Sequence, residues 1–126
     1  MGTETFGTYL KKLRIARELG LRTFAEKTGY FPSNLSDIEH GKKPPPRDPE
    51  RLAEICAALG AERGSPEWEK LHDLAVSDTP ERIPPDLVNY ASKNADVVPL
   101  LLRTAARRKL TKEEILRLIE RIKQYF

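Results

Sequence analysis

The sequence lacks most of the features that mark secreted, membrane-bound and metal-binding proteins. Its 126 residues include one cysteine, which excludes an internal disulfide and a zinc cage made of thiolates. No apolar run approaches the ~20 residues that a transmembrane helix needs. The first residues contain no basic segment followed by an apolar stretch, as a secretion signal would. We therefore expect a cytoplasmic protein that is not associated with a membrane.

The sequence also lacks recognisable catalytic patterns, such as GxSxG, a glycine-rich phosphate loop or HExxH. The two histidines, His40 and His72, lie 32 residues apart without the spacing of metal ligands. Cys56 falls on an apolar helix face, where a thiol is expected to be buried and unreactive. We expect no enzyme activity, no cofactor and no metal site.

The net charge of +3 is small, but the charges are unevenly distributed. Residues 1–47 contain nine Lys/Arg and five Asp/Glu, residues 48–102 five and eleven, and residues 103–126 eight and three. An acidic middle between two basic ends is expected when only part of a protein faces a polyanion. A solvated helical surface with unevenly placed charges would give the same pattern, so both interpretations stay open.

Almost every segment is predicted to be helical, which makes the fold class all-α. Alternating β-branched residues, typical of strands, are nearly absent, whereas apolar residues recur at helical spacing. Asp48-Pro49-Glu50 and Ser65-Pro66-Glu67 each combine an N-cap residue, a proline at the first helical position and an early acidic residue. The first three predicted helices are residues 5–18, 21–28 and 32–40. A fourth helix begins at Asp48-Pro49 and a fifth at Ser65-Pro66.

The region after Ser77 begins with a proline-rich connector, DTPERIPPD, and is predicted to contain two or three further helices. Thr111-Lys112-Glu113-Glu114 is a capping box that opens the last of them. In a chain this small, the apolar stripe of this helix would be exposed, which favours a dimer interface; packing onto the fifth helix is the alternative. The stripe comprises Ile115, Leu118, Ile119, Ile122, Tyr125 and Phe126.

The second and third predicted helices are separated by only three residues, 29–31, which include a glycine. Two short helices joined by such a turn form a helix-turn-helix unit. Residues 6–60 resemble the lambda-repressor-like DNA-binding family (the Cro/cI or xenobiotic-response-element type). The match is carried by LRxxRxL at Leu13 to Leu19, FAEKTG at Phe24 to Gly29 and SNLSDIEHGKKPP at Ser33 to Pro45.

The resemblance implies a five-helix domain that binds double-stranded DNA, followed by a small C-terminal helical extension. We place the helix-turn-helix DNA-binding domain at residues 1–78 and a dimerisation or partner-binding region at residues 79–126. Members of such families pair as two-fold dimers that recognise half-sites about one helical turn apart.

The third helix would be the recognition helix. At 100° per residue, Leu35 and Ile38 face the core and small polar side chains face outward, so the helix can enter the ~12 Å major groove. Ser33 and Asn34 lie in its first turn, where such helices reach base edges; Asn34 can pair with adenine, and Asp37 can accept from cytosine N4. The predicted base-reading residues are Ser33, Asn34, Ser36, Asp37 and His40.

Residues around this helix are expected to contact phosphates and fix its register on the duplex without recognising sequence. For Lys42 and Lys43, a solvated loop is the alternative interpretation. The predicted phosphate contacts are Arg22, Thr23, Lys27, Lys42, Lys43 and Arg47.

Glu39 falls about 40° from Leu35 around the helix and is expected to be half-buried. The resemblance implies that it pairs with an arginine of the first helix, at the position matched by Arg14. Arg17 lies nearer the apolar stripe and is a rival partner. We assign the pair a structural role in holding the two helices together. Removing one partner of a buried pair is expected to cost more stability than removing both.

Two residues depart from the pattern of the family. Leu21 occupies a position that commonly holds a glutamine, which contacts a phosphate and supports the first recognition residue. Phe31 replaces the usual Ser/Thr N-cap of the recognition helix. We expect Phe31 to be buried; a contact with a thymine methyl group is the alternative.

Three functional hypotheses follow, in order of preference. The first is a homodimeric, sequence-specific repressor that regulates its own promoter. The second is an antitoxin or a protease-switched repressor, whose C-terminal region binds a co-encoded toxin or peptidase. The third is an interaction adaptor that has lost DNA binding, for which Leu21 and Phe31 are the hints.

Overall fold

The computed structural model describes residues 4–79 and 82–126. Within these residues every regular element is helical, which confirms the all-α prediction. The elements are α1 (Phe6–Ala16), α2 (Leu21–Thr28), α3 (Pro32–Glu39), α4 (Pro49–Ala58), α5 (Pro66–Ala75), a 3-10 turn (Pro85–Leu87), α6 (Val88–Lys93), α7 (Val98–Arg107) and α8 (Lys112–Tyr125).

The chain divides into two compact units, Met1–Val88 and Asn89–Phe126. The division falls ten residues after the domain boundary expected at 78/79. The 3-10 turn packs against α4 and α5, and this contact assigns the end of the proline-rich connector to the first unit. Residues 80 and 81 of that connector lie outside the described part of the chain.

The helix starts follow the capping signals in the sequence. The Asp48 side chain accepts from the backbone N–H of Arg51, and the Ser65 hydroxyl accepts from that of Trp68. Thr111 forms the predicted capping box with Glu114. Each bond satisfies a backbone donor that the first helical turn leaves unpaired. Local sequence therefore fixes where these helices begin.

Two helices end earlier than predicted. α1 stops at Ala16, with Arg17 as its C-cap, and the following Glu18 takes a left-handed φ of 56°. α3 stops at Glu39, and His40 is its C-cap. Both differences concern only the last turn, where helices commonly fray.

The core of the first unit is formed by apolar side chains from α1 to α5. The apolar stripes of α1 and α4 are buried, as the helical spacing of their apolar residues predicts. Burial of apolar side chains supplies the main favourable term for folding this unit. The buried side chains include Phe6, Leu10, Leu13, Phe24, Ala25, Leu35, Ile38, Leu52, Ile55, Cys56, Leu59, Leu71 and Ala75.

Gly7 allows α1 to lie directly against α3. A Cβ atom at this position would lie 2.6 Å from the carbonyl oxygen of Glu39 and closer still to that of Ile38. Backbone atoms cannot move aside as a flexible side chain can, so any larger residue would force the two helices apart.

The turn between α2 and α3 is closed by Gly29 and supported from α4. Gly29 has a left-handed φ of 74°, a conformation that glycine adopts without the steric cost of a Cβ atom. Arg51 of α4 donates to the carbonyl oxygen of Thr28 at 2.8 Å, and its guanidinium stacks 4.0 Å from the centre of the Tyr30 ring. The angle between α2 and α3 is thus set by contacts on both sides of the turn.

In the second unit, α6, α7 and α8 bury none of their residues. α7 exposes Leu100, Leu101 and Leu102, and α8 exposes the apolar stripe described above. None of the helices in residues 4–79 and 82–126 has the length and hydropathy needed to cross a bilayer.

Candidate nucleic-acid interface

α3 turns its apolar residues towards the core and its polar residues away from it. Leu35 and Ile38 are buried, as the helical spacing predicts. Ser33 and His40 are exposed, and the other three predicted base-reading residues, Asn34, Ser36 and Asp37, are half-buried. Four of the five residues proposed for base recognition therefore lie on one short helix whose opposite face is fixed in the protein, and the fifth, His40, is its C-cap.

Arg14 of α1 makes a two-point contact with Glu39 of α3. Arg14 Nε donates to Glu39 Oε2 at 2.7 Å and Nη2 donates to Oε1 at 2.9 Å, while Nη1 donates to the carbonyl oxygen of Leu19 at 2.8 Å. The hydrogen bonds to Glu39 raise the pKa of the Arg14 guanidinium. Arg17, the rival partner, instead donates from Nε to the carbonyl oxygen of Leu59 at 2.9 Å.

Glu39 is only 5% exposed, so the expectation that it is half-buried was wrong. A carboxylate can be enclosed to this degree because both of its oxygens accept hydrogen bonds from one guanidinium. The helical wheel placed Glu39 correctly at the edge of the apolar face but could not show how closely α1 approaches.

Lys43 contacts two of the predicted base-reading residues. Its Nζ donates to Asn34 Oδ1 and lies 3.7 Å from Asp37 Oδ2. A bidentate contact of asparagine with adenine uses both amide atoms, and Lys43 occupies one of the two acceptor sites of the Asn34 oxygen that such a contact could use. A nearby phosphate could attract the ammonium group in exchange.

His40 is oriented by the last turn of α3. Its Nδ1 lies 2.8 Å from the carbonyl oxygen of Ser36. A carbonyl oxygen can only accept, so Nδ1 carries a proton in this arrangement. In the neutral imidazole, Nε2 is then a hydrogen-bond acceptor.

The cations around α3 fall into two groups. Arg22, Lys27 and Lys42 are exposed and form no ion pair within residues 4–79 and 82–126; Thr23, on α2, is also exposed. Arg47 is half-buried and donates to Asp78 at 3.1 Å and to the carbonyl oxygen of Ala75 at 3.4 Å. Its guanidinium thus connects the loop between α3 and α4 to the end of α5.

Phe31 is 73% exposed, so the expectation of burial was wrong. Its φ of −74° and ψ of 143° are extended rather than helical, and its side chain gives α3 no cap. Because Pro32 holds the preceding residue extended, Phe31 does not continue the buried face of α3. Leu21, the other departure from the family pattern, is partly buried and packs against the core.

Three residues that position the interface were missed in the sequence: Gly7, Tyr30 and Arg51. A glycine inside a helical pattern is a signal of close packing, and this signal was present at Gly7. Nothing local marks Tyr30 and Arg51 as partners, because they lie 21 residues apart in sequence. No cluster of three or more potential metal ligands occurs in the part of the chain that the structure describes.

A family model matches the part of the chain that contains the two short helices. Residues 5–65, which span α1 to α4, match the model of a helix-turn-helix domain. This part of the chain is therefore similar to helix-turn-helix domains, in which the second helix of the motif binds DNA in the major groove.

Among solved structures, the chain is similar to the clp gene regulator ClgR from C. glutamicum. The two share 28% sequence identity with a TM-score of 0.44, over 61% of this chain and 91% of that chain. A search of curated proteins finds no match.

Proposed function

We propose that this protein is a homodimeric, sequence-specific DNA-binding transcription regulator that represses its own promoter by occupying a palindromic operator. The proposal depends on α3, which exposes small polar side chains while Leu35, Ile38 and the Arg14–Glu39 pair fix its other face. A helix with such a surface can enter the major groove without a long charged fringe that would collide with phosphates.

Base recognition is assigned to the outward face of α3. Ser33 and Asn34, in the first turn, are placed to reach base edges, whereas Ser36, Asp37 and His40 follow along the groove. Asp37 is a discriminating residue: a carboxylate among phosphates is unfavourable unless it accepts a hydrogen bond from a base such as cytosine.

Affinity is assigned to the cations that flank α3. Arg22, Lys27 and Lys42 are supported by their exposure and by their lack of ion pairs in residues 4–79 and 82–126. Lys43 can join them when it leaves Asn34 and Asp37. Arg47 has the weakest support, because Asp78 already compensates its charge.

Dimer formation is assigned to α8. The stripe of Ile115, Leu118, Ile119 and Ile122 continues to the two aromatic residues Tyr125 and Phe126, and all six are exposed. Contiguous exposed apolar surface of this kind marks an interaction site, and two copies of α3 are needed to recognise a two-fold operator.

A second candidate is an antitoxin or a protease-switched repressor that binds a co-encoded toxin or peptidase. It is favoured by α7, on which Leu100, Leu101 and Leu102 are 53–64% exposed. A dimer formed through α8 leaves this second apolar surface uncovered, and a protein partner could bind it. The sedimentation mass, measured alone and after addition of the product of a neighbouring gene, distinguishes the candidates.

The test of DNA recognition is selection of bound duplexes from a random pool, followed by binding of two variants to the selected sequence. Lys42→Ala should weaken binding to the selected and to a random duplex equally and lower the salt slope by about 1. Asn34→Ala should cost roughly 1–3 kcal/mol on the selected duplex and relax the preference at one base position.

Arg63→Ala is the control, because Arg63 is an exposed cation in the loop between α4 and α5, away from the motif. It should leave both affinities nearly unchanged. If Asn34→Ala, like Lys42→Ala, lost as much affinity for random DNA as for the selected duplex, the assigned roles would be refuted. Failure to enrich any sequence would refute sequence-specific binding.

A further inference from the structure

Phe31 is the most exposed large apolar side chain of the first unit among its described residues. It directly precedes α3 and lies two residues before Ser33, which is also exposed. An isolated exposed apolar residue needs no explanation on its own. The position of Phe31 does need an explanation, because it lies at the start of the recognition helix, the end that approaches the bases most closely.

The backbone of Phe31 is held in place by its neighbours. Pro32 restricts the preceding residue to extended conformations, and Phe31 takes φ −74° and ψ 143°. Its carbonyl oxygen accepts from the N–H of Leu35 at 3.1 Å, which ties the same peptide to the first turn of α3. The Cα atom of Phe31 is therefore held at a fixed point beside the start of α3, and the ring projects from this point into solvent.

The charges nearby favour a nucleic acid over a protein surface. α2 carries exposed Arg22 and Lys27 on one side of the turn, and the segment after α3 carries exposed Lys42 and Lys43 on the other. Cations on both sides of the motif suit a groove bordered by phosphates. The apolar group that the major groove exposes is the C5-methyl group of thymine.

We propose that Phe31 packs against the C5-methyl group of a thymine and so specifies a thymine next to the bases recognised by Ser33 and Asn34. This inference rests on the proposed function, since it requires α3 to enter the major groove. It adds an apolar element to a recognition surface whose other members are all polar. 5-Methylcytosine presents the same methyl group, and the experiment separates the two bases.

The test uses the duplex selected from the random pool, with deoxyuridine replacing thymidine at one position at a time. Uracil keeps the hydrogen-bonding groups of thymine and lacks only the methyl group. We expect one position in each half-site where the unmodified protein binds the uracil duplex about fourfold more weakly, the loss expected for one buried methyl group. Phe31→Ser should bind both duplexes equally, and Phe31→Leu should keep part of the difference.

Ile15→Ser is the matched control, because Ile15 is an exposed apolar residue of α1; it should keep the full difference. Circular dichroism of each variant verifies that the fold is retained. A third duplex with 5-methylcytosine at the same position should bind more weakly than thymine if thymine itself is specified, and equal binding would show that only the methyl group is recognised.

Two results would overturn the inference. One is equal binding of thymine and uracil duplexes at every position by the unmodified protein. The other is a Phe31→Ser variant that retains the difference, or that changes the sedimentation mass, which would assign Phe31 to a protein interface. A pool that yields no enriched sequence would instead refute the proposed function, so the two failures are distinguishable.

Discussion

The ion pair of Arg14 and Glu39 is the residue-level contact that orients α3 most directly. The two side chains are 11% and 2% exposed, and both carboxylate oxygens of Glu39 accept from the Arg14 guanidinium. Burying both charges costs solvation energy that their attraction largely offsets. The pair therefore contributes orientation more than net stability.

The double replacement tests this distinction. Arg14→Met should lower the free energy of unfolding by about 3–5 kcal/mol, because Glu39 would be left as a buried charge without its partner. Arg14→Met combined with Glu39→Leu should lose less than Arg14→Met alone. Urea unfolding followed by circular dichroism gives both values. If the loss of the double variant equalled the sum of the losses of Arg14→Met alone and Glu39→Leu alone, the two side chains would act independently.

Single residues also show where sequence reasoning succeeds. The burial of Leu35 and Ile38 follows from helical spacing, because neighbours three residues apart share a face. The extended backbone of Phe31 could also have been predicted, since a residue before proline is held extended. The contact of Arg47 with Asp78 could not, because nothing in the local sequence brings together residues 31 positions apart.

At the scale of elements, the crossing of α1 and α3 depends on one glycine. The carbonyl groups of Ile38 and Glu39 occupy the space that a side chain at Gly7 would need. The end of α3 and the start of α1 thus approach each other with their backbones in contact, and no adjustable side chain lies between them at Gly7.

Gly7→Ala should therefore destabilise the first unit by roughly 1–3 kcal/mol, the cost of overpacking, although alanine is the better helix former. Gly20→Ser is the control. Nothing lies within 4 Å of a Cβ at Gly20, and serine is a preferred N-cap residue, so this change should be neutral or stabilising. Thermal unfolding of both variants tests the claim, and an unchanged melting temperature for Gly7→Ala would contradict it.

The elements themselves were largely predictable. The starts of α4, α5 and α8 are encoded by caps that lie within three residues of the bonds they make. The ends of α1 and α3 were less predictable, because a helix can stop without a marked residue at its last turn. Crossing angles and close approaches, such as that at Gly7, depend on the whole packed unit.

At the scale of the whole molecule, the proposed dimer predicts that a charge within the stripe of α8 separates the subunits. Ile119→Asp should halve the sedimentation mass, since an unpaired carboxylate in an apolar interface is costly. Affinity for a palindromic duplex should fall by about 100-fold or more, as the second half-site no longer contributes avidity.

Gln124→Asp is the matched control, because Gln124 lies on the opposite side of α8 at helical spacing. It should change neither the mass nor the affinity. An unmodified protein that sediments as a monomer on its own would contradict the dimer and favour a separate partner.

Cys56 predicts how the stability of the first unit depends on pH. Burial, with a smaller effect of Asp86, raises the pKa of the Cys56 thiol from 9.0 to about 12. In the unfolded chain the thiol ionises near its ordinary value, whereas in the folded protein it stays neutral. The stability that the neutral thiol contributes is thus complete below pH 9 and is lost progressively as the pH rises towards 12.

By pH 10 the unmodified protein should lose about 1 kcal/mol more of its unfolding free energy than Cys56→Ala does. Denaturant titrations at pH 8 and pH 10 measure the difference. Lysines and tyrosines ionise in both proteins, so comparison with the variant removes their contribution. Parallel curves for the two proteins would show that the thiol is accessible to solvent in the folded state.

The backbone contact at Gly7 limits how such a protein can respond to a signal. Because the end of α3 rests on the start of α1 without a side chain between them at Gly7, α3 cannot tilt or slide there unless α1 moves with it. In the proposed dimer, a regulatory event would then leave each α3 unchanged and act on the separation or relative rotation of the two subunits. Operators with altered spacing between half-sites, instead of altered bases, would reveal such control.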